Sequence, residues 1–506
     1  MMRSILTRVI GFGILLTATG ENVVAQPSSE VCGCKNIVHG NCVSPELCVR
    51  WDNSQDPPVA GTDFELTYDY FGKPTVELRI GDNGQGTTYE WRVWCKDSSG
   101  AADEINEIKG LSDYDFHVTL LNDTGGAGAS SVGIIDLNPL GDNKFSRIAD
   151  GQVSGDLTTS MFLQQASGGV GGNANMTLGS VSGNVTIPVV AQGDLFKIDG
   201  QLSANLTVSD LMDGTLTILG GVTSNNTVTI QQLAGAVILG ASGGNALAAN
   251  ATLDLKDGIP SVAGQVIFNG RCDGTIDLNG FDVANNLRLY YGGSGEIRNG
   301  GTVSATVLLA EAELPLGGAS FSGTATFASV ATNAEVVTKY SVGVEGNVTV
   351  TSSCDGKIEL GTQFWDGGHL GDGTNPAKIS VGSLGTTGTI VVWDDVRNNA
   401  DIKILGDCDN VIDIQGQVLD GATIDIDGAL TGEIEHYGDL EGTILIGGAV
   451  GQAGLIKLNT GLAATGLVDL SGLLSGRLLI GDGTAYGSLI HLKGGLDSLG
   501  AVTINA

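Results

Sequence analysis

Apolar and polar residues alternate in short runs along most of this chain, and the runs recur at a steady interval. In Gly274-Thr275-Ile276-Asp277-Leu278, Ile276 and Leu278 fall on one side and Thr275 and Asp277 on the other. That period of two is the mark of an extended strand and excludes a helix over the run. In the last third the first inward-type residue of each run falls at Ile402, Ile412, Ile424, Ile434, Ile444, Ile456, Val468, Leu478 and Ile490, in steps of 10 or 12. An earlier series, Met176, Val185, Leu195, Leu206, Leu216, Val228 and Val237, steps by 9 to 12. Most runs are followed by a glycine, which lets the chain turn a corner where a Cβ would clash.

A single run of about eleven residues cannot bury its own aliphatic pair, so the pattern predicts a stacked solenoid. Each inward side chain would gain about 1.5–3 kcal/mol on burial against the next coil. A closed up-and-down barrel is the rival, but nothing joins thirty-odd short strands into one ring. The interval leaves open whether a coil holds two runs or three. At roughly 4.8 Å per coil, these alternatives predict a rod on the order of 80 or 55 Å long. The usual hand of parallel crossovers makes the coil right-handed.

A longer duplication is superimposed. Cys272-Asp273-Gly274-Thr275-Ile276-Asp277-Leu278 matches Cys408-Asp409-Asn410-Val411-Ile412-Asp413-Ile414, Ser294-Gly295-Glu296-Ile297 matches Thr431-Gly432-Glu433-Ile434, and Cys354-Asp355-Gly356-Lys357-Ile358-Glu359-Leu360 is a third copy. These units resemble parallel β-helix repeats, most like the broad pectin-lyase-like group, in pattern over roughly residues 130–506. The resemblance implies an all-β fold, a long parallel β-helix. It also raises lyase or hydrolase activity on acidic polysaccharides, because that group includes such enzymes.

Residues 26–120 differ from the rest. Trp51, Trp91 and Trp94 lie here, with Tyr68, Tyr70, Tyr89 and Tyr114. Alternation over Phe64–Tyr68 and Thr88–Trp94 predicts half-buried strands, with a turn at Gly81-Asp82-Asn83-Gly84 between them. Ile105 and Ile108 in Ala102–Lys109 have the spacing of one face of a two-turn helix, a candidate cap for the solenoid. The expected organisation is a signal peptide at 1–25, a small Cys-rich, aromatic-rich β domain at 26–120, and the solenoid at 121–506.

The signal peptide rests on Arg3 and Arg8, the short apolar stretch Val9–Ala18, and the small residues Val23-Val24-Ala25 before Gln26. No later segment carries the apolar length of a membrane-spanning helix. Cys32, Cys34, Cys42, Cys48 and Cys95 crowd into the first hundred residues; in an exported chain they are disulfide candidates. A zinc site from Cys32, Cys34, Cys42 and His39 is the alternative. Cys272, Cys354 and Cys408 read as small residues packed at the corners entering strands.

The chain carries 56 acidic and 24 basic side chains, a formal charge of −32, which repels phosphate backbones and makes nucleic acid a poor partner. The best catalytic candidates are Asp394, Asp395 and Arg397, two adjacent carboxylates and a cation, although neighbours on a strand point to opposite faces. A solvated loop is the blander account of them. His369 lies in a break between runs, where a lone histidine reads as polar surface. Calcium is the one cofactor to weigh: Asp372 and Asp482 sit in Gly-Asp-Gly turns, and Asp425 and Asp427 share a strand face, but none completes a known calcium loop.

The reading that follows is a secreted or cell-surface acidic β-helix, more a non-enzymatic adhesive or extracellular-matrix component than an enzyme. Its expected partners are a second copy or a cell-surface or glycan ligand. Val502-Thr503-Ile504 continue the pattern with no evident cap, which favours end-to-end association. The alternative is a polysaccharide lyase or glycoside hydrolase on a β-helix scaffold, with the aromatic N-terminal domain gripping glycan. Function is expected where the pattern breaks: the Cys-rich region, residues 310–345 and residues 362–376.

Overall fold

The structure, a computed structural model, describes most of residues 184–505 and, upstream, separate segments between residues 30 and 178. Residues 1–29, including the expected signal peptide, lie outside the described residues, as do 312–319, 340–342 and 362–367. The chain divides into two compact units, Met1–Lys197 and Ile198–Ala506. All regular structure among the described residues is β, and no helix there is long and apolar enough to cross a membrane.

In the second unit the aliphatic pairs do what their alternation predicts. Ile402, Ile424, Ile444, Val468 and Ile490 stand in register on successive parallel strands. Ile390, Ile412, Ile434, Ile456, Leu478 and Val502 do the same on a second sheet. The unit is a parallel β-solenoid of about thirteen turns. Its first wall runs from Leu206–Met212 to Leu489–Leu492, and its second from Thr215–Ile218 to Ala501–Ile504.

Each turn uses two runs, not three: Ile402 pairs with Ile424, and Ile412, between them in sequence, lies on the other wall. At roughly 4.8 Å per turn, thirteen turns extend about 60 Å.

Two narrow columns close the coil between the walls. One runs through Ile259, Val283, Val303, Val330, Cys354, Leu384, Cys408, Leu430, Val450, Leu474 and Leu496. The opposite one includes Phe321, Val344, Leu370, Val396, Val418, Leu440 and Leu462. Cys272 belongs to this second side, paired with Leu247. The duplicated sequence therefore does not mark equivalent walls: Thr275–Asp277 is on the first wall and Val411–Ile414 on the second. The two halves of a coil are similar enough that one pattern serves both. Cys354 and Cys408 share a column but Leu384 separates them, and all three cysteines are buried thiols.

The corner glycines answer to close approach. Gly406, Gly428, Gly448, Gly472 and Gly494 form one column, and a Cβ on Gly448 would lie 2.4 Å from the Gly428 carbonyl oxygen. A second device is the left-handed turn: Asn399 (φ 62°) and Gly421 (φ 81°) occupy matching places one coil apart.

The first unit is also all-β. Glu30–Cys34, Glu46–Asp52 and Glu90–Lys96 form an antiparallel sheet in which Cys32 faces Cys48 and the two are disulfide-bonded. Cys34 is disulfide-bonded as well. These bonds use two of the four ligands of the zinc alternative, which is therefore excluded; His39 lies outside the described residues. Cys42 and Cys95 are placed on strands Asn41–Cys42 and Glu90–Lys96, and their side chains are outside the description.

The predicted strand Phe64–Tyr68 forms, paired antiparallel with Pro74–Leu78; the predicted turn at 81–84 lies outside the described residues. Trp91 packs against Trp51 and edge-on against Phe64, with ring centroids 5.2 and 6.1 Å apart. Trp51, Trp91 and Trp94 are at most 6% exposed. They form core, so they offer no ring face to a glycan.

The helix expected at Ala102–Lys109 is not formed. Glu104–Gly110 is a strand, parallel to Thr75–Leu78 on one side and to Ser131–Asp136 on the other. Two turns of isolated helix are marginal in water, whereas a strand with two neighbours satisfies its backbone on both edges and buries Ile108.

The final coil shows what stacking contributes. Strands elsewhere in the walls mostly alternate partly exposed and buried positions, but in Leu489–Leu492 no residue is buried, and Leu489 is 52% exposed. Core truncation tests the same interaction. Ile434→Ala should lower stability by about 2–5 kcal/mol, whereas the outward Thr423→Ala should stay within about 0.5 kcal/mol. Equilibrium denaturation of both variants measures the contrast.

Candidate functional sites

Asp394, Asp395 and Arg397 lie at the corner that follows the second-wall strand Thr389–Val392. Val396 between them is buried in the corner column, so the flanking side chains diverge around it. Asp395 Oδ1 accepts the Gln417 backbone N–H of the next coil at 2.7 Å. Arg397 reaches Asp394 at 3.9 Å, a loose and partly exposed ion pair. The three are brought near one another without converging on a common point.

Asp395 belongs to a recurring arrangement. Asp273 accepts the Ser294 N–H, Asp282 that of Thr302, and Asp407 that of Ala429, each from the following coil. Corner aspartates thus satisfy backbone donors that the narrow corner columns leave unpaired. Outward charges on the strands pair across coils in the same way. Lys457 binds Glu435 at 2.6 Å, Arg298 binds Asp277 at 2.9 Å, and Lys493 binds Asp469 at 2.6 Å.

The calcium candidates fall into this scheme. Asp425 and Asp427 do share a face, and the Lys403 ammonium of the preceding coil binds both. Asp372 accepts the Thr374 and Asn375 N–H groups at 2.6 Å each and the Asn375 amide at 2.8 Å, closing its own turn. Those bonds hold its carboxyl below the usual range. Asp482 stands exposed at its turn. Among the described residues no three His, Cys, Asp or Glu side chains gather as a metal site.

His369 is not the surface residue its loop-like context predicts. It lies in the short strand His369–Leu370, is 1% exposed, and its Nε2 has no hydrogen-bond partner. Burial, reinforced by Arg397 and partly offset by Asp372, pushes it down to about 4. His436 is a second buried histidine, which the sequence reading passed over. It faces inward between Ile414 and Leu458 with neither ring nitrogen in good hydrogen-bonding geometry. Burial pushes it to about 4 as well, and the Gly416 carbonyl offsets this only slightly.

The burial of the repeat cysteines raises their thiols, to about 12 for Cys354 and Cys408. They are core atoms, not nucleophiles at neutral pH.

The richest outward feature is a pair of columns on the second wall. Glu359, Val391, Asp413, Glu435 and Lys457 are register partners on five successive strands. Beside them stand Trp393, Gln415, Tyr437 and Asn459, whose backbone N–H groups each bond one coil back. The Trp393 indole N–H donates to Glu359 at 2.8 Å, which lays the ring toward Val391, itself only 6% exposed. Gln415 donates to Asp413 at 2.7 Å, and the Glu435 carboxylate beside it raises the Tyr437 phenol above its ordinary range.

Asp413 and Glu435 are thereby driven apart. Burial, with the Glu435 charge beside it, raises Asp413, whereas the Lys457 hydrogen bond lowers Glu435. The sequence carried a signal for these columns: 393, 415, 437 and 459 are spaced by 22, as are 391, 413, 435 and 457.

Comparison with protein families, with curated proteins and with solved structures found no match. The parallel β-helix architecture stands on the strand pairing itself.

The buried histidines predict an acid sensitivity. Both are neutral in the fold and take up protons only near pH 4, whereas the unfolded chain protonates them near 6.5. The stability they contribute is complete above pH 6.5 and is lost progressively as pH falls toward 4, by about 2 kcal/mol per histidine between pH 7 and pH 5. Replacement of His436 by Leu should flatten that decline, measured as the denaturation midpoint against pH. An unchanged pH profile would refute the assignment.

Proposed function

We propose that this protein is a secreted, non-enzymatic component of a cell surface or extracellular matrix, serving as an adhesive solenoid scaffold. The observation that carries the reading is the employment of its carboxylates. Asp273, Asp282, Asp395 and Asp407 bind backbone of the next coil, and Asp425, Asp427 and Asp469 bind lysines. Groups spent in this way hold coils together and are not poised for chemistry. Disulfide bonding of Cys32, Cys34 and Cys48 supports export to an oxidising compartment.

One observation favours the polysaccharide-hydrolase alternative that the pectin-lyase-like resemblance raises. Asp413 and Glu435 are neighbouring carboxylates with opposite shifts, the pattern that separates an acid from a base or nucleophile. They suit that role better than Asp394, Asp395 and Arg397.

Incubation with a panel of neutral and uronate polysaccharides, followed by assay of reducing ends and unsaturated products, separates the readings. The scaffold reading predicts no product together with retention on cell-surface or matrix material. Turnover abolished by Asp413→Asn or Glu435→Gln would replace it with the hydrolase.

A further inference from the structure

The two aromatic side chains of the outward column on the second wall, Trp393 and Tyr437, stand one residue past the ends of strands two coils apart, with Gln415 in the same place between them. Adjacent coils are roughly 4.8 Å apart, so the two positions are separated by about 10 Å along the solenoid axis. Tyr437 is 42% exposed, and Trp393 is partly exposed. The Trp393 ring is not left to free rotation, because its indole N–H is tethered to Glu359, and the Tyr437 backbone N–H is fixed by the Ile414 carbonyl one coil back. By contrast, the tryptophans of the first unit, Trp51, Trp91 and Trp94, are core.

We infer that this stripe binds a linear, uncharged, β-1,4-linked glycan lying along the solenoid axis, about one pyranose ring per coil. The argument is one of matching repeats. In such a chain each ring is turned over relative to its neighbours, so rings two apart present the same face. Aromatic platforms two coils apart meet those equivalent faces, and stacking against their apolar C–H surfaces supplies affinity. The ring between them lies over Gln415 and Asp413, whose amide and carboxylate meet its hydroxyls; Asn459 extends the polar edge by one coil. Hydrogen bonds to a carboxylate are the stronger kind. A chain of −32 formal charge repels an anionic polymer, which leaves the uncharged glycans as the complementary class. The inference deepens the adhesive reading by naming a ligand, and it rests on that reading only for its biological setting.

The test is calorimetric titration of the full chain with hexasaccharides of β-1,4-linked glucose, xylose and N-acetylglucosamine, then with two- and four-ring members of any series that binds. Expected are binding of at least one series, a rise in affinity of ten-fold or more from two rings to four, and a ten-fold or greater loss in Trp393→Ala and in Tyr437→Ala. Thr423→Ala on the opposite wall should bind as the parent does. Both aromatic positions face outward, and an unchanged thermal transition verifies that each variant is folded. Should folding fail, Tyr437→Ser with Gln415→Ala tests the same stripe from its polar side.

No binding of any of the three hexasaccharides at millimolar concentration overturns the inference, and so does binding that survives the double substitution of Trp393 and Tyr437 by Ala. Reducing-end release in the same incubations distinguishes the two claims. Product formation that depends on Trp393 and Tyr437 supports the stripe while refuting the non-enzymatic reading. Retention on matrix material without oligosaccharide binding refutes the stripe alone.

Discussion

The structure depends on in-register stacking of each coil on the one before. Once residue 402 pairs with residue 424, every side chain has as its nearest long-range neighbour the side chain in the same phase of the next turn. Inside the coil this rule favours repetition, and Ile on Ile on Ile gives a dry column. Outside it the same rule penalises repetition of charge. Lys403 beside Asp425, Glu435 beside Lys457 and Asp277 beside Arg298 are the alternation that results. A solenoid built this way adds core in proportion to its length, so the second unit grows coil by coil without needing a new globular core.

The acidity of the sequence has a partly structural origin. Corner positions are too short to complete a sheet, so backbone N–H groups there need other acceptors. Asp282 and Asp407 fill that role from the coil below, and their oxygens are as close as 2.7 and 2.8 Å to the donors. A carboxylate is the strongest small acceptor available, and its charge is tolerated at an exposed corner. Aspartate enrichment at fixed phases therefore carries less information about metals or cationic partners than the bulk composition implies. Lys403 makes the point on the first wall, because its ammonium lies with the pair of aspartates that reads as a cation site from sequence.

Much of this was legible in the chain before any coordinates. The strand runs, the inward pairs and the corner glycines are local signals, each readable within about a dozen residues. What failed needed knowledge of neighbours distant in sequence. Ile105 and Ile108 satisfy helical spacing, but the strand they belong to is fixed by Thr75–Leu78 and Ser131–Asp136, which no local window contains. The choice between two and three runs per coil is likewise a question of what stacks on what. So is the burial of His369 and His436, since a histidine in strand alternation reads the same whether its side of the strand is filled or wet. Cys272 and Cys408 mislead for a subtler reason: the half-coils are near-equivalent, and one motif serves opposite walls.

A regular solenoid is easily taken for a passive rod whose function must lie where the repeat breaks. The second wall argues otherwise. Gln415 and Tyr437 are held in place by the same coil-to-coil backbone hydrogen bonds that hold the core, and Gln415 also by the Asp413 carboxylate one residue column away. Their spacing is thus as rigid as the backbone ladder and cannot drift as side chains on a loop would. A polymer whose own repeat is close to the coil rise stays in register with the wall from turn to turn, so modest interactions add along the axis without a closed pocket. Regularity in this fold is then a means of recognition in its own right, and the 22-residue phase that builds the core also positions whatever the outer wall displays.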